Sequence, residues 1–168
     1  MKLRAAVTLA GLSLIFAGLI PTAQAATGAS CGASSGVTLK PGISMKPSGG
    51  TFASSSGGAI ACVGVFKGTA VAGKGSLSFT GSYGPGDTCA KGKGSGKLSA
   101  TLHKAAGGTL RAFGSFSFTR AGSDVIVTGK LGGARLSGNL QFLPKPSQNC
   151  FKTKVTSATV SGAALSLG

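Results

Sequence analysis

Few side chains in this sequence could catalyse a reaction by moving protons. The only histidine is His103, and the only carboxylates are those of Asp87 and Asp124. General acid–base catalysis needs such groups near a neutral pKa, and glycoside cleavage needs a pair of carboxylates. Asp87 lies in GPGDTC and Asp124 follows Gly122-Ser123, and aspartate is common in turns of both kinds. The sequence therefore predicts a non-enzymatic protein.

One segment of the sequence matches the G-x-S-x-G pattern that surrounds the nucleophilic serine in many hydrolases. GASSG, residues 32–36, fits G-x-S-x-G with Ser34 in the centre. The nucleophile elbow also needs a strand before the serine and a helix after it. Neither is predicted here, and Gly/Ser-rich sequence matches this pattern easily by chance. We therefore assign Ser34 no catalytic role.

The segment CAKGKGSGKL, residues 89–98, has the composition of a phosphate-binding loop. A Walker-type loop needs glycine five positions before Gly96, and this position is Lys91; it also needs Ser or Thr after Lys97, and Leu98 stands there. The evenly spaced glycines do not fit the dinucleotide pattern either. We interpret the segment as a flexible, cationic connection between strands, and we expect no cofactor.

The N-terminal segment is typical of a secretory signal peptide. Lys2 and Arg4 precede an apolar stretch that is short for a membrane span, and Ala23-Gln24-Ala25 resembles a cleavage site. We predict that residues 1–25 are a signal peptide, cleaved after about Ala25, rather than an uncleaved anchor or a lipoprotein signal that ends at Cys31. Residues 26–168 then form a single secreted β domain without a transmembrane segment.

The cysteine count agrees with export. Four cysteines in an oxidising compartment indicate two disulfides, for which three pairings are possible. We favour Cys31–Cys62 and Cys89–Cys150. The first would fix the N-terminal segment, and the second would fix the long loops. The cysteines lack metal-ligand spacing, so we expect no zinc site.

The charge of the chain favours an anionic partner. The sequence contains seventeen lysines and arginines but only two acidic residues, which gives a formal net charge of +15. Such a charge attracts wall polymers, acidic polysaccharides, lipid surfaces or nucleic acids. Specific nucleic-acid recognition is not expected, because arginines and clustered aromatic residues are few.

Alternation of apolar and polar residues with a period of two predicts an all-β fold. GSLSFTGSY and GKLSATLHK are examples. Residues 41–57 are rich in Pro, Gly and Ser and are expected to be irregular. The predicted strands cover residues 36–40, 58–67, 75–83, 96–103, 109–119, 124–131, 134–143, 153–161 and 163–167.

The hairpins suggest how these strands pair. Pairing 103 with 109, 119 with 124 and 131 with 134 keeps inward residues opposite inward residues. Gly114 would then face Gly129, where glycine would allow the sheet to bend. We expect a small antiparallel β-barrel or β-sandwich of about eight strands with largely meander connections, and we favour the barrel.

This register predicts a binding surface on the outer face. Ser99, Phe113, Lys130 and Arg135 would form a row, and Arg111 would lie on the same face. An exposed aromatic ring among cations could hold an acidic or sugar ligand. If Cys89 pairs with Cys150, a second cluster would unite Lys91, Lys93, Lys152 and Lys154.

The sequence therefore predicts a secreted basic β-protein that binds an anionic extracellular polymer or surface. The alternative is a secreted effector, either a cationic antimicrobial or an inhibitor of an extracellular enzyme. An inhibitor would present residues 84–97 or 144–152 as a rigid exposed loop.

Overall fold

The computed structural model describes residues 28–55 and 57–168, so the predicted signal peptide lies outside the described residues. The all-β prediction is confirmed. Nine antiparallel strands occupy most of the described chain: β1 (Ala29–Ile43), β2 (Ser48–Ser54), β3 (Ala59–Phe66), β4 (Thr69–Asp87), β5 (Lys91–His103), β6 (Thr109–Ala121), β7 (Asp124–Leu131), β8 (Ala134–Pro144) and β9 (Val155–Leu167).

All nine strands belong to one ring-like sheet. From β3 to β9 each strand pairs with the next along the chain, and β9 pairs back with β1. The first part of β1 pairs with β3, whereas residues 37–40 pair with β2. The short strands β2 and β3 therefore lie end to end between β1 and β4. A single sheet of this kind replaces the two-sheet sandwich that the sequence left open.

Two segments that were predicted to be loops are strands. Residues 48–54, within the segment expected to be irregular, form β2 and bury Phe52. Residues 91–95, interpreted as part of a flexible connection, form the start of β5, which was predicted to begin at residue 96. Both predictions were wrong because apolar residues are scarce at the inward positions. Gly92 and Gly94 occupy them in β5, and Gly50 and Ser54 flank Phe52 in β2.

The register predicted for one hairpin was also wrong. His103 pairs with Thr109 as predicted, and Leu131 pairs with Ala134. Ala121, not residue 119, pairs with Asp124, so β6 is displaced by two residues against β7. The turn contains only Gly122 and Ser123, and Gly122 has the positive φ that such tight turns require.

Large aromatic side chains pack inside the ring against glycines. The rings of Phe52, Phe79, Phe116 and Phe118 lie 5.6 to 6.2 Å apart. Gly81 pairs with Phe52, Gly94 with Phe118 and Gly96 with Phe116. A β-carbon at Gly94 would lie 2.7 Å from the Phe118 ring, so glycine is required there.

The register change alters the role assigned to two other glycines. Gly114 faces Leu131 and Gly129 faces Phe116, so they do not face each other. A β-carbon at Gly129 would lie 2.7 Å from the α-carbon of Phe116. These glycines therefore make room for large inward neighbours, in addition to any effect on bending.

Both predicted disulfides are confirmed. Cys31 and Cys62 are direct partners on β1 and β3, and their bond is buried. The Cys89–Cys150 bond joins the turn between β4 and β5 to the segment that connects β8 with β9. Within residues 28–55 and 57–168, no helix has the length and apolar character needed to cross a membrane.

Candidate functional site

A row of cations crosses the outer face of the sheet. Lys97 on β5 pairs with Ser115 on β6, Ser115 pairs with Lys130 on β7, and Lys130 pairs with Arg135 on β8. All three cationic side chains are exposed. Direct opposition of like charges is unfavourable in a sheet, so the pairing of Lys130 with Arg135 calls for an explanation beyond stability.

Phe113 lies beside this row rather than within it. It pairs with Ser99 and is 69% exposed. The predicted opposition of Phe113 and Lys130 is wrong, because the two-residue displacement of β6 places Ser115 opposite Lys130. Phe113 is instead diagonal to both Lys97 and Lys130, and long side chains can interact across such diagonals.

Arg111 completes this surface, two residues before Phe113 on the same strand. It is exposed and pairs with Thr101. We call the set Lys97, Arg111, Phe113, Lys130 and Arg135 the basic face. Lys97 was not predicted to belong to this surface, although the pairing of 103 with 109 already placed it opposite Ser115.

A second row, made only of hydroxyl side chains, runs alongside the cations on the outer face. Each of its members pairs with the next across neighbouring strands, and the Ser117 and Thr128 hydroxyls hydrogen-bond at 3.1 Å. We call this set the hydroxyl row: Thr51, Ser82, Ser95, Ser117, Thr128, Ser137, Ser166 and Ser30. On β5 to β8 it lies two residues from the cation row along each strand, or about 7 Å.

Negative charge is scarce near the basic face. Among the side chains of the described residues, Asp124 has the only exposed carboxylate, since Asp87 is 4% exposed. Asp124 begins β7, six residues from Lys130, and accepts a 2.5 Å hydrogen bond from Gln141 Nε2. Within residues 28–55 and 57–168 the basic face therefore has no acidic side chain as a partner, although the main chain of Gly168 pairs with that of Arg135.

The second predicted cluster lies at one end of the ring. Lys91, Lys93, Lys152 and Lys154 are all exposed, and we call them the lysine patch. The Cys89–Cys150 bond joins the two chain segments that carry them. Phe151, between Cys150 and Lys152 in one of these segments, is 86% exposed and was not among the predicted site residues.

The three groups that could transfer protons are not brought together. His103 is exposed at the end of β5, whereas both Asp87 carboxylate oxygens accept a hydrogen bond from the Lys93 amide near its start. Ten residues of strand separate Lys93 from His103, or roughly 33 Å. Asp124 pairs with Ala121, at the opposite end of β6 from the partner of His103. A mechanism that combines His103 with either aspartate therefore lacks the required geometry.

Two side chains of opposite charge, Asp87 and Arg120, lie near each other inside the ring, at the end where the Cys89–Cys150 bond lies. Arg120 is 7% exposed and projects inward from β6. A β-carbon at Gly92 would lie 2.7 Å from Asp87 Oδ2 and 3.3 Å from Arg120 Nη2, so Gly92 fits between the two groups. Tyr83 is buried on the same strand as Asp87. We call Tyr83, Asp87 and Arg120 the interior polar cluster.

The Arg120 guanidinium is held by main-chain carbonyls. Nη1 donates to Cys89 O at 2.6 Å and to Gly122 O at 2.9 Å, and Nη2 donates to Thr88 O and, at 3.4 Å, to Lys91 O. Burial lowers the pKa of Arg120, an effect that the charge of Asp87 partly offsets. The side chain therefore links two turns, β4–β5 and β6–β7, to the end of β6.

Protein-family models, curated proteins and solved structures yield no match to this chain. In the part of the chain that the structure describes, no three His, Cys, Asp or Glu side chains group as a metal site would require. A function for this chain must therefore be inferred from the arrangement of its side chains alone.

Proposed function

We propose that this protein is a secreted β-barrel protein whose basic face binds an acidic polysaccharide. The observation that supports the proposal best is the row of Lys97, Lys130 and Arg135 beside the hydroxyl row. Two disulfides agree with an oxidising extracellular compartment. The basic face adds a charged surface that has no acidic side chain as a partner among the described residues.

The spacing of these groups suits an extended chain that crosses the strands. Neighbouring strands are about 4.8 Å apart, so Lys97 and Lys130 lie about 10 Å apart and the row to Arg135 extends about 14 Å. Acid groups repeated along a polysaccharide would meet successive cations. The sugar hydroxyls would meet the hydroxyl row, and Phe113 offers a ring on which one sugar face can stack.

The same surface fits nucleic acid less well. Single strands bind to platforms on which several bases stack on successive aromatic rings. Phe113 is the one aromatic residue of the basic face, and besides the cations its neighbours on the outer face are Ser99, Thr101 and Ser115. Hydroxyl-rich surroundings suit a hydroxyl-rich polymer, which is why we favour a polysaccharide.

A column experiment tests this proposal. Oxidised protein, residues 26–168, is eluted with salt from a polyuronate column and from a simple cation exchanger. The test variant replaces Lys97, Lys130 and Arg135 with serine. Its matched control replaces Lys40, Lys74 and Lys145, which are exposed elsewhere, with serine.

Both variants lose three charges, so both should elute earlier from the exchanger by similar amounts. On polyuronate, the test variant should lose clearly more retention than the control. Equal losses on polyuronate would mean that the charge acts diffusely, and the proposal would be wrong.

A second candidate function rests on a different observation. Phe151, which is 86% exposed, lies beside the lysine patch, and Leu143 and Met45 are exposed in nearby segments. Exposed apolar residues among lysines favour adsorption to anionic lipid. An effector that disrupts membranes should release dye from vesicles of phosphatidylglycerol, and Phe151→Ser should abolish the release. Intact vesicles at full protein binding would exclude the disruptive activity.

A further inference from the structure

The interior of the ring contains a cavity of about 130 Å³. All nine strands contribute to its wall, which is formed mainly by aliphatic side chains and by the rings of Phe52, Phe79, Phe116 and Phe118. Apolar cavities of about 150 Å³ in proteins bind molecules such as benzene. The size and the wall therefore suit a molecule with one six-membered ring.

Tyr83 lines this wall but does not present its hydroxyl to the cavity. The residue is 6% exposed, and the hydroxyl oxygen is buried beside the main chain of Gly42. A β-carbon at Gly50, its partner on β2, would clash with that oxygen, so the hydroxyl packs against the main chain of β2. The surface that a ligand would meet is therefore apolar.

The charges at the same end of the cavity favour a neutral ligand. Arg120 and Asp87 both contribute to the wall, and their opposite charges lie close together. The guanidinium already donates to main-chain carbonyls of the surrounding turns. A charged ligand would therefore be buried without a counter-ion of its own.

We propose that this cavity binds a small neutral apolar molecule, about the size of one six-membered ring. This site is separate from the basic face, which lies on the opposite side of the sheet. Phenol and toluene are suitable probes, because they have nearly the same shape and differ in the hydroxyl.

The first experiment measures the affinity of both probes by titration of methyl NMR signals. Both probes should shift the signals of lining residues such as Ala33 and Leu98 and leave that of Ala163, which is exposed on β9, unchanged. Toluene should bind at least about five-fold more tightly than phenol, because the phenol hydroxyl would lose its hydrogen bonds to water and find no partner in the cavity. Tighter binding of phenol than of toluene would overturn the apolar character assigned to the ligand.

The second experiment fills the cavity. Ala33→Leu places a larger side chain in the wall and should weaken both probes by more than about ten-fold, since the space is no larger than one ring. Ala163→Leu makes the same change on the surface and should leave both affinities unchanged. Equal affinities in the two variants would overturn the cavity as the site.

Xenon keeps the proposal testable if Ala33→Leu does not fold. The gas enters dry apolar cavities, so in the unaltered protein it should shift the methyl signals of Ala33 and Leu98 and leave that of Ala163 in place. If the signals of the lining residues respond to none of these three probes (phenol, toluene and xenon), the proposal is wrong.

Discussion

Arg120→Met tests whether the interior polar cluster stabilises the ring. Methionine retains most of the apolar length of the arginine stem but cannot donate a hydrogen bond. The variant therefore loses the charge-assisted bonds to the carbonyls of Cys89, Gly122 and Thr88. It also removes the cation that lies 5.2 Å from the centre of the Phe142 ring.

The magnitude follows from two opposing effects. Three hydrogen bonds to a charged group contribute roughly 4–9 kcal/mol to the stability of the fold. Burying the guanidinium opposes this by several kcal/mol, and the variant no longer has that cost. Asp87 remains buried without its nearby cation. We expect a net loss of about 3 kcal/mol in the free energy of unfolding, at the lower end of the range for removing one buried ionic partner.

Urea unfolding with intact disulfides, followed by circular dichroism, measures the effect. A loss of about 3 kcal/mol should lower the urea midpoint by roughly 1–3 M. Arg135→Met is the matched control, because Arg135 is exposed on the basic face and its loss should change stability by less than about 0.5 kcal/mol. Equal midpoints for the two variants would refute the argument that the carbonyl contacts stabilise the turns.

Three further predictions concern the interior and the crosslinks. Burial raises the pKa of Tyr83, the only tyrosine, above 10.0. The absorbance of Tyr83 should therefore titrate at higher pH in the folded protein than in urea. Its contribution to the free energy of unfolding is complete below about pH 10 and should disappear as the pH rises through the pKa of the folded state. In Gly96→Val the new β-carbon would lie 3.0 Å from the Phe116 ring. This crowding should destabilise the fold by about 1–3 kcal/mol. Ser95→Val, on the outer face, is the control and should not destabilise the fold. Replacing Cys89 and Cys150 with serine opens a loop between residues 61 apart and should cost roughly 4 kcal/mol, seen as a lower urea midpoint; an unchanged midpoint would contradict the loop-entropy argument.

The sequence predicted the strands that alternate apolar and polar residues, and the disulfide pairing. The segment from residue 91 to 95 was missed because its inward positions are Gly92 and Gly94, which carry no apolar signal. Lys91, Lys93 and Ser95 alternate with these glycines, and that polar alternation was the available signal. Glycine is typical of turns, but in β5 its lack of a side chain leaves space for the rings of Phe116 and Phe118.

The register between β6 and β7 shows a different limit of sequence analysis. A displacement by one residue would expose the apolar face, whereas a displacement by two keeps every side chain on its own face. Alternation cannot distinguish the predicted pairing from the observed one, and the turn at Gly122-Ser123 decides between them. Arg120 was missed for a related reason, because the predicted strand ended at residue 119. Continuing the inward positions of Phe116 and Phe118 by one step reaches Arg120.

The two faces of β5 explain how one glycine-rich strand can serve two sites. Its even-numbered positions carry glycine beneath the interior rings, and its odd-numbered positions carry Lys93, Ser95 and Lys97 outside. A ring of few strands has little space inside, so a phenylalanine on one strand requires glycine on the next. The outer surface has no such restriction and can carry long charged side chains. The proposed polysaccharide and the proposed interior ligand therefore share this strand but no side chain, and binding of one should leave the affinity for the other unchanged.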